Sequence, residues 1–121
     1  MRIPKYIEKL AFIVESSKND ILREFHLSLT EYLVLCLVNE FEKNDHQASP
    51  QEIVSTSGKN RGWIYRAIKK LKEKGYINLC QGKRFEPGRL FMQLYGKVIL
   101  RRINSILAQR VQAIKEEDLV M

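Results

Sequence analysis

The stretch SGKNRGWIYRAIKKLKEKGYINL, residues 57–79, concentrates positive charge on a segment with helical periodicity. It contains seven Lys or Arg residues and one acidic residue, Glu73. A solvated helix face needs charged side chains, but it does not need charges of a single sign. The imbalance therefore indicates a surface that binds a polyanion.

The charge of the whole chain is distributed in the same uneven way. The 121 residues carry a formal net charge of +7. Residues 1–58 contain six basic and nine acidic residues. Residues 59–89 contain ten basic and two acidic residues, and residues 90–121 contain five basic and three acidic residues. The excess lies in the middle segment, as expected of a local nucleic-acid-binding surface.

A short helix is predicted just before this stretch, in SPQEIV (residues 49–54). Ser49 suits the N-cap, Pro50 suits the first helical position, and Glu52 follows the serine by three residues. This is a capping-box pattern, and the helix is expected to end at about Ser55.

A tight turn and a basic helix come next. Gly58 in STSGKN can adopt a left-handed conformation. Asn60 can cap a helix that runs to Lys74 and stops at Gly75. A short helix joined by a tight turn to a second helix is a helix-turn-helix unit, with residues 60–74 as its recognition helix.

The sequence after Gly75 predicts a β-hairpin and then another helix. YINLCQ (76–81) and RLFMQL (89–94) alternate as strands do, and GKRFEPG (82–88) reads as the hairpin tip. A hairpin directly after the second helix makes the unit a winged one, with the tip of the wing at 82–89. From Gly96 to about Glu117 the apolar residues recur with helical spacing.

Two further helices are predicted upstream, from Pro4 to about Phe25 and in SLTEYLVLCLVNEF (28–41), where Ser28 or Thr30 can act as the cap. The fold class is thus mainly α with a small β-hairpin wing. We expect one winged helix-turn-helix domain over residues 1–121.

On a helical wheel the basic helix separates into two faces. Ala67, Ile68 and Leu71 fall within about 60° of Ile64 and form the core face. The opposite side is charged, and Gly62 lies outward in the first turn. The candidate DNA-binding residues on this helix and on the wing are Lys59, Asn60, Arg61, Gly62, Trp63, Tyr65, Arg66, Lys69, Lys70, Lys83, Arg84 and Arg89.

These residues suit a helix that enters the major groove of DNA. Such helices read bases with their N-terminal residues, so base-edge contacts are expected from Arg61, Trp63, Tyr65 and Arg66. Phosphate contacts are expected from Lys59, Lys69, Lys70, Lys83, Arg84 and Arg89, with Asn60 as both cap and phosphate contact. Two roles are open for Trp63 and Tyr65, because each can touch DNA or pack under the wing.

Other classes of function find little support. The chain has no P-loop, no paired Cys/His cluster and no nucleophile motif, so we expect neither an enzyme nor a cofactor or metal. Cys36 and Cys80 fit a reducing cytosol, either as small buried hydrophobes or, alternatively, as a redox switch. No signal peptide and no run of roughly 18 apolar residues are found, which predicts a cytoplasmic protein with no membrane partner.

Several stretches together resemble the MarR family of winged helix-turn-helix transcriptional regulators, to which the SarA-like branch is close in layout. They are LSLTEYLVLCLVNEF (27–41), SPQEIV (49–54) and RGWIYRAIKKLKEKGYI (61–77), followed by a basic wing. The resemblance covers about residues 20–104. The wing, GKRFEPGR, lacks the aspartate of the family's Asp-x-Arg signature, and Leu94-Tyr95 replaces the usual Leu-Thr.

The resemblance implies a homodimer in which the first and last helices, here 1–25 and 96–119, form the dimerisation region around a DNA-binding lobe at 28–94 with its wing at 76–94. Apolar stripes on both segments suit that role. The stripe residues are Ile7, Leu10, Val14, Leu100, Ile103, Leu107, Val111 and Ile114. The alternative is that both stripes close over the core of a single chain.

The expected function is that of a homodimeric repressor bound to double-stranded DNA. The first alternative is a plasmid or phage replication or partition protein that binds DNA. The second is a winged-helix interaction module for an acidic protein surface. Family members place a small-molecule effector between the dimerisation helices and the DNA-binding lobe, but no residue cluster here identifies a ligand.

Overall fold

The computed structural model describes residues 20–119, and the side chains of residues 111 and 113–119 are outside the described set. Five helices and two strands follow one another over that range. They are α1 (Asp20–Glu24), α2 (Leu29–Lys43), α3 (Pro50–Ser57), α4 (Arg61–Glu73), β1 (Ile77–Cys80), β2 (Arg89–Met92) and α5 (Leu94–Leu119). The mainly α fold with a hairpin wing is as predicted.

Helix α2 lies at the centre of the molecule because it is apolar nearly all round. Every residue from 31 to 38 is buried. Its N-cap is Ser28, whose hydroxyl accepts the Glu31 N–H at 3.1 Å, so Ser28 and not Thr30 caps the helix. Around it pack α3, α4, β2 and α5. A helix with this composition is stable only when neighbours cover it on several sides.

The hairpin is antiparallel and is attached to the helices at its base. The register pairs Ile77 with Met92 and Cys80 with Arg89. The Met92 N–H donates to Glu42 Oε1 at 2.8 Å, and the Leu90 N–H donates to the Ala48 carbonyl at 2.7 Å. The wing therefore leaves the body of the domain in a fixed direction.

Three predicted helix boundaries differ from the structure or lie partly outside it. Helix α3 continues to Ser57, two residues beyond the predicted end. Helix α5 begins at Leu94 and not at Gly96, because Gly96 serves a close packing contact and not a helix boundary. Of the helix predicted at 4–25, only α1 falls within the described residues.

The apolar stripe predicted for dimerisation has two parts in the structure. Leu100, Ile103 and Leu107 of α5 are buried in the core of a single chain, as the alternative for this stripe expects. Asn104, on the same helix, accepts the Tyr32 hydroxyl of α2 at 2.7 Å. The remaining stripe residues, Ile7, Leu10, Val14 and the side chains of Val111 and Ile114, lie outside the described set.

Candidate nucleic-acid interface

Both helices of the helix-turn-helix unit begin at a side-chain cap. Ser49 and Glu52 form the complete capping box on α3. Gly58 ends that helix at φ +65° and donates its N–H to the Val54 carbonyl at 3.1 Å. Asn60 Oδ1 accepts the Trp63 N–H at 3.3 Å and starts α4. These predicted caps are confirmed, and they define where each helix begins and where α3 ends.

Helix α4 has one buried face and one exposed face, as the wheel predicts. Ile64, Ala67, Ile68 and Leu71 are all buried. The candidate contact residues on this helix are exposed, namely Arg61, Gly62, Trp63, Tyr65, Arg66, Lys69 and Lys70. One helix thus joins the core to a solvent-facing row of basic and aromatic side chains.

The exposed face of α4 has a positive charge that the protein itself does not neutralise. Within the described residues, no carboxylate forms a salt bridge with Arg66, Lys69, Lys70 or Lys72. Like charges at these spacings repel each other. A bound polyanion would relieve that repulsion and release its own counterions.

Trp63 lies on the side of α4 away from the hairpin. It is 57% exposed and lines a cleft of about 220 Å³ with Arg66 and Lys70. The opposite wall of this cleft is the first turn of α2, with Ser28, Thr30 and Glu31. Trp63 therefore does not pack under the wing, and its ring is accessible to a ligand.

Tyr65 lies on the other side of α4, beside the wing. Its side chain lines a groove with Leu79 of β1 and Lys69. The Arg61 guanidinium lies 5.1 Å from the centroid of the Tyr65 ring, and its Nη2 forms a long hydrogen bond of 3.5 Å to the Tyr65 hydroxyl. The tyrosine thereby restricts the position of Arg61 in the first turn of the helix.

The basic residues of the wing are of two kinds. Lys83 and Arg84 are exposed at the tip and form no salt bridge with any described residue. Arg89 lies at the base, where its Nη1 donates to Glu52 Oε1 at 3.0 Å and to the Gln47 carbonyl at 3.2 Å. Arg89 joins the hairpin to the start of α3.

Glu52 is the centre of this junction. Its Oε1 accepts the Ser49 N–H at 3.1 Å in addition to Arg89, and its Oε2 lies 2.7 Å from His46 Nε2. Desolvation opposes ionisation of the carboxyl, but the Ser49 N–H, His46 and Arg89 together outweigh it. They hold the pKa of Glu52 below its ordinary value of 4.5. Glu52 thus stabilises the fold in its ionised form.

This pKa shift predicts a pH-dependent effect of Glu52→Gln. A carboxyl whose pKa is lowered by folding stabilises the protein above its ordinary pKa and loses that contribution as the pH falls through the folded value. The difference in free energy of unfolding between wild type and Glu52→Gln should be largest near neutral pH and shrink below 4.5. Urea unfolding across this pH range measures it, and a pH-independent difference would contradict the assignment.

The structure adds three residues that the sequence did not single out. Lys72 extends the basic groove beside Tyr65. The run of lysines in IKKLKEK (68–74) is the sequence feature that could have identified it. Phe85 lies fully exposed at the wing tip, between Arg84 and Glu86. Lys74 forms an ion pair with Glu31 at 2.6 Å, and no sequence pattern links two residues so far apart.

The remaining groups offer little chemistry. Burial raises the pKa of the Cys36 thiol to about 12, which keeps it protonated and unreactive, whereas Cys80 is free and exposed. Over residues 20–119, no cluster of three or more His, Cys, Asp or Glu is arranged to hold a metal ion. In the same range, no helix is both long and apolar enough to cross a membrane.

Comparison with known proteins gives one group of curated sequence relatives. No family model matches the chain. The HTH-type transcriptional regulator SarT of Staphylococcus aureus (strain MSSA476) is 33% identical over 57 residues. The matched part covers 47% of this chain and 48% of SarT, so the chain spans about half the length of that relative.

Solved structures match over most of the chain. A MepR variant from S. aureus bound to an oligodeoxyribonucleotide has a TM-score of 0.72 at 9% identity and covers 93% of this chain and 80% of its own. Wild-type apo MarR from E. coli has a TM-score of 0.71 at 16% identity. The match covers 98% of this chain and 87% of the MarR chain. At these identities the likeness establishes the fold. The predicted resemblance to MarR-type winged-helix regulators is confirmed at that level.

Proposed function

We propose that this protein is a sequence-specific regulator of transcription that binds double-stranded DNA with α4 in the major groove. The observation that carries this function is the exposed face of α4. Four basic side chains on it have no carboxylate partner among the described residues, namely Arg66, Lys69, Lys70 and Lys72. The capped turn holds this face outward, and the DNA-bound MepR variant shares the fold. No catalytic step is part of the proposal.

The proposed contacts follow from the positions of the side chains. Arg61, Trp63, Tyr65 and Arg66, near the start of α4, read base edges. Lys59, Lys69, Lys70, Lys83 and Arg84 neutralise phosphates, together with Asn60 at the helix cap, and Gly62 allows close approach of the DNA backbone. Arg89 is already held by Glu52 and the Gln47 carbonyl through Nη1, which limits its reach towards a phosphate, so we assign it a smaller share of the affinity.

The regulator acts in this proposal as a homodimeric repressor that occludes a promoter. In the first turns of α5, Leu94 is 78% exposed, Tyr95 56% and Val98 43%. A second copy would cover these apolar side chains, and a dimer presents two α4 helices to half-sites about one helical turn apart. Ile7, Leu10, Val14, Val111 and Ile114 remain candidates for the same interface.

A gel shift with genomic fragments, including the protein's own promoter, tests this function at two salt concentrations. We expect a specific complex with a steep salt dependence, because several phosphates are neutralised. Footprinting should then show two half-sites at a promoter. Protection at a replication origin would favour a replication or partition role. Binding that disappears uniformly at physiological salt would contradict DNA recognition and favour an acidic protein partner.

Replacing Arg66 by alanine should lower affinity for the specific site by about 1–3 kcal/mol and relax its sequence preference. Arg66 is exposed in the second turn of α4, where a guanidinium can make two hydrogen bonds to guanine. Titrations of specific and scrambled duplexes measure both effects. Lys69→Ala is the matched control and should weaken all sequences alike. Equal weakening by Arg66→Ala would reduce Arg66 to a phosphate contact.

A further inference from the structure

The tip of the wing exposes an aromatic ring that the fold does not use. Phe85 is 94% exposed, more than any other aromatic side chain among the described residues, of which Trp63 is next at 57%. Burial of such a ring would stabilise the fold, so leaving it in water is unfavourable. Its one ring contact among the described residues is with Arg84, whose guanidinium lies 5.2 Å from the ring centroid. The ring therefore does not stabilise the core.

The backbone at Phe85 is also unfavourable. The Glu86 N–H donates to the Lys83 carbonyl at 2.8 Å, which closes a four-residue turn with Phe85 in its third position. Phe85 has φ +69° there, a conformation that glycine adopts without cost. For an L-residue with a side chain this conformation is strained, because its Cβ lies too close to the following carbonyl oxygen. Exposure and strain together point to a ring that is held outward for a ligand.

The neighbouring charges indicate what that ligand is. Lys83 and Arg84 immediately precede the ring in the chain and Glu86 follows it, and none of the three forms a salt bridge with any described residue. An apolar ring beside two cations that have no carboxylate partner among the described residues fits a nucleic-acid groove, where phosphates line the edges and stacked bases form the floor. The hairpin begins beside α4, since Leu79 of β1 and Tyr65 line one groove. A wing that starts there is within reach of the DNA beside the groove that would hold α4.

We propose that Phe85 is a wedge that enters the minor groove beside the major groove occupied by α4 and partly unstacks one base step. Lys83 and Arg84 would bind phosphates next to that step while the ring bends the duplex. Pyrimidine–purine steps unstack most easily, so the wing would prefer such a step without reading its base edges. This role for Phe85 rests on the DNA-binding function proposed above.

The test uses the full chain and the duplex footprinted in the gel shift, with 2-aminopurine placed in turn at each step under the protected flank. Wild type should raise 2-aminopurine fluorescence at one step and bend the duplex, as measured by energy transfer between its ends. Phe85→Ala should abolish both signals and lower affinity about tenfold, which corresponds to about 1.4 kcal/mol. Phe85→Leu, which keeps an apolar wedge, should retain most of the bend.

Phe85→Gly separates this role from a structural one. Because glycine relieves the positive φ, this variant should be at least as stable as wild type and still fail to unstack the step. Bending and fluorescence unchanged in Phe85→Ala would overturn the wedge. So would a wild-type complex that shows neither signal, although DNA binding would then stand. Failure of wild type to bind any duplex would overturn both proposals.

Discussion

Replacing Gly96 by alanine is expected to destabilise the protein by about 3 kcal/mol or more, the upper range for forcing an atom into a packed site. A Cβ built on Gly96 lies 2.0 Å from the Tyr76 carbonyl oxygen and 2.8 Å from its carbonyl carbon. Both are backbone atoms, and the same carbonyl is held by the Gln93 N–H at 3.0 Å. Neither side can move without separating α5 from the base of the wing.

The sign of this effect is opposite to the usual one, because glycine inside a helix is normally less stable than alanine by roughly 0.5–1 kcal/mol. Gly62 of α4 is the matched control, since a Cβ there meets only the Asn60 side chain, at 3.1 Å. Gly62→Ala should change the free energy of unfolding by less than about 1 kcal/mol. Chemical denaturation of both variants decides the point. Equal stability of Gly96→Ala and wild type would show that α5 can shift freely against Tyr76.

Replacing Lys74 by methionine should lower the free energy of unfolding by roughly 1–3 kcal/mol, between the loss of an exposed ion pair and the breaking of a fully buried one, because Glu31 is buried and Lys74 only partly so. The ammonium donates to Glu31 Oε1 at 2.6 Å and to the His26 carbonyl. The Glu31 side chain is only 9% exposed, so without Lys74 its carboxylate is desolvated and has lost its cation. The pair joins the end of α4 to the start of α2, and its loss should loosen the recognition helix.

Two further variants isolate that ion pair. Lys72→Met removes an exposed lysine two residues away that has no salt bridge among the described residues. Its free energy of unfolding should stay within about 0.5 kcal/mol of the wild-type value. The double variant Lys74→Met, Glu31→Leu should recover much of the lost stability, because no buried charge remains. A double variant as unstable as Lys74→Met alone would show that Lys74 acts through the His26 carbonyl instead.

Local rules were sufficient for the helix-turn-helix unit. Ser49, Glu52, Gly58 and Asn60 each satisfy backbone groups within a few residues of themselves, so their roles were predictable from spacing alone. The division of α4 into faces was predictable for the same reason, since a period of 3.6 residues decides which side chains share a side. The candidate contact surface on α4 therefore came from the sequence.

Boundaries and pairings that depend on distant residues were not predictable. The sequence suggested that Gly96 begins the last helix. Its actual role is to let α5 pack closely on the Tyr76 backbone, and that contact depends on how α5 crosses the base of the wing. Arg89 looked like a free wing cation, because its partner Glu52 lies 37 residues earlier in the chain. In both cases the relevant neighbour is brought close by packing and not by sequence spacing.

The sequence by itself determined the element order, the helix caps, the basic character of the middle segment and the resemblance to MarR-type regulators. These features depend on local hydrogen bonds and on residue type. Only the tertiary structure decided which cations are free and which are paired, that Trp63 faces α2 and not the wing, and that Phe85 stands exposed at the wing tip. Such facts depend on contacts between segments, and hydrophobic collapse around α2 sets those contacts only when the whole chain folds.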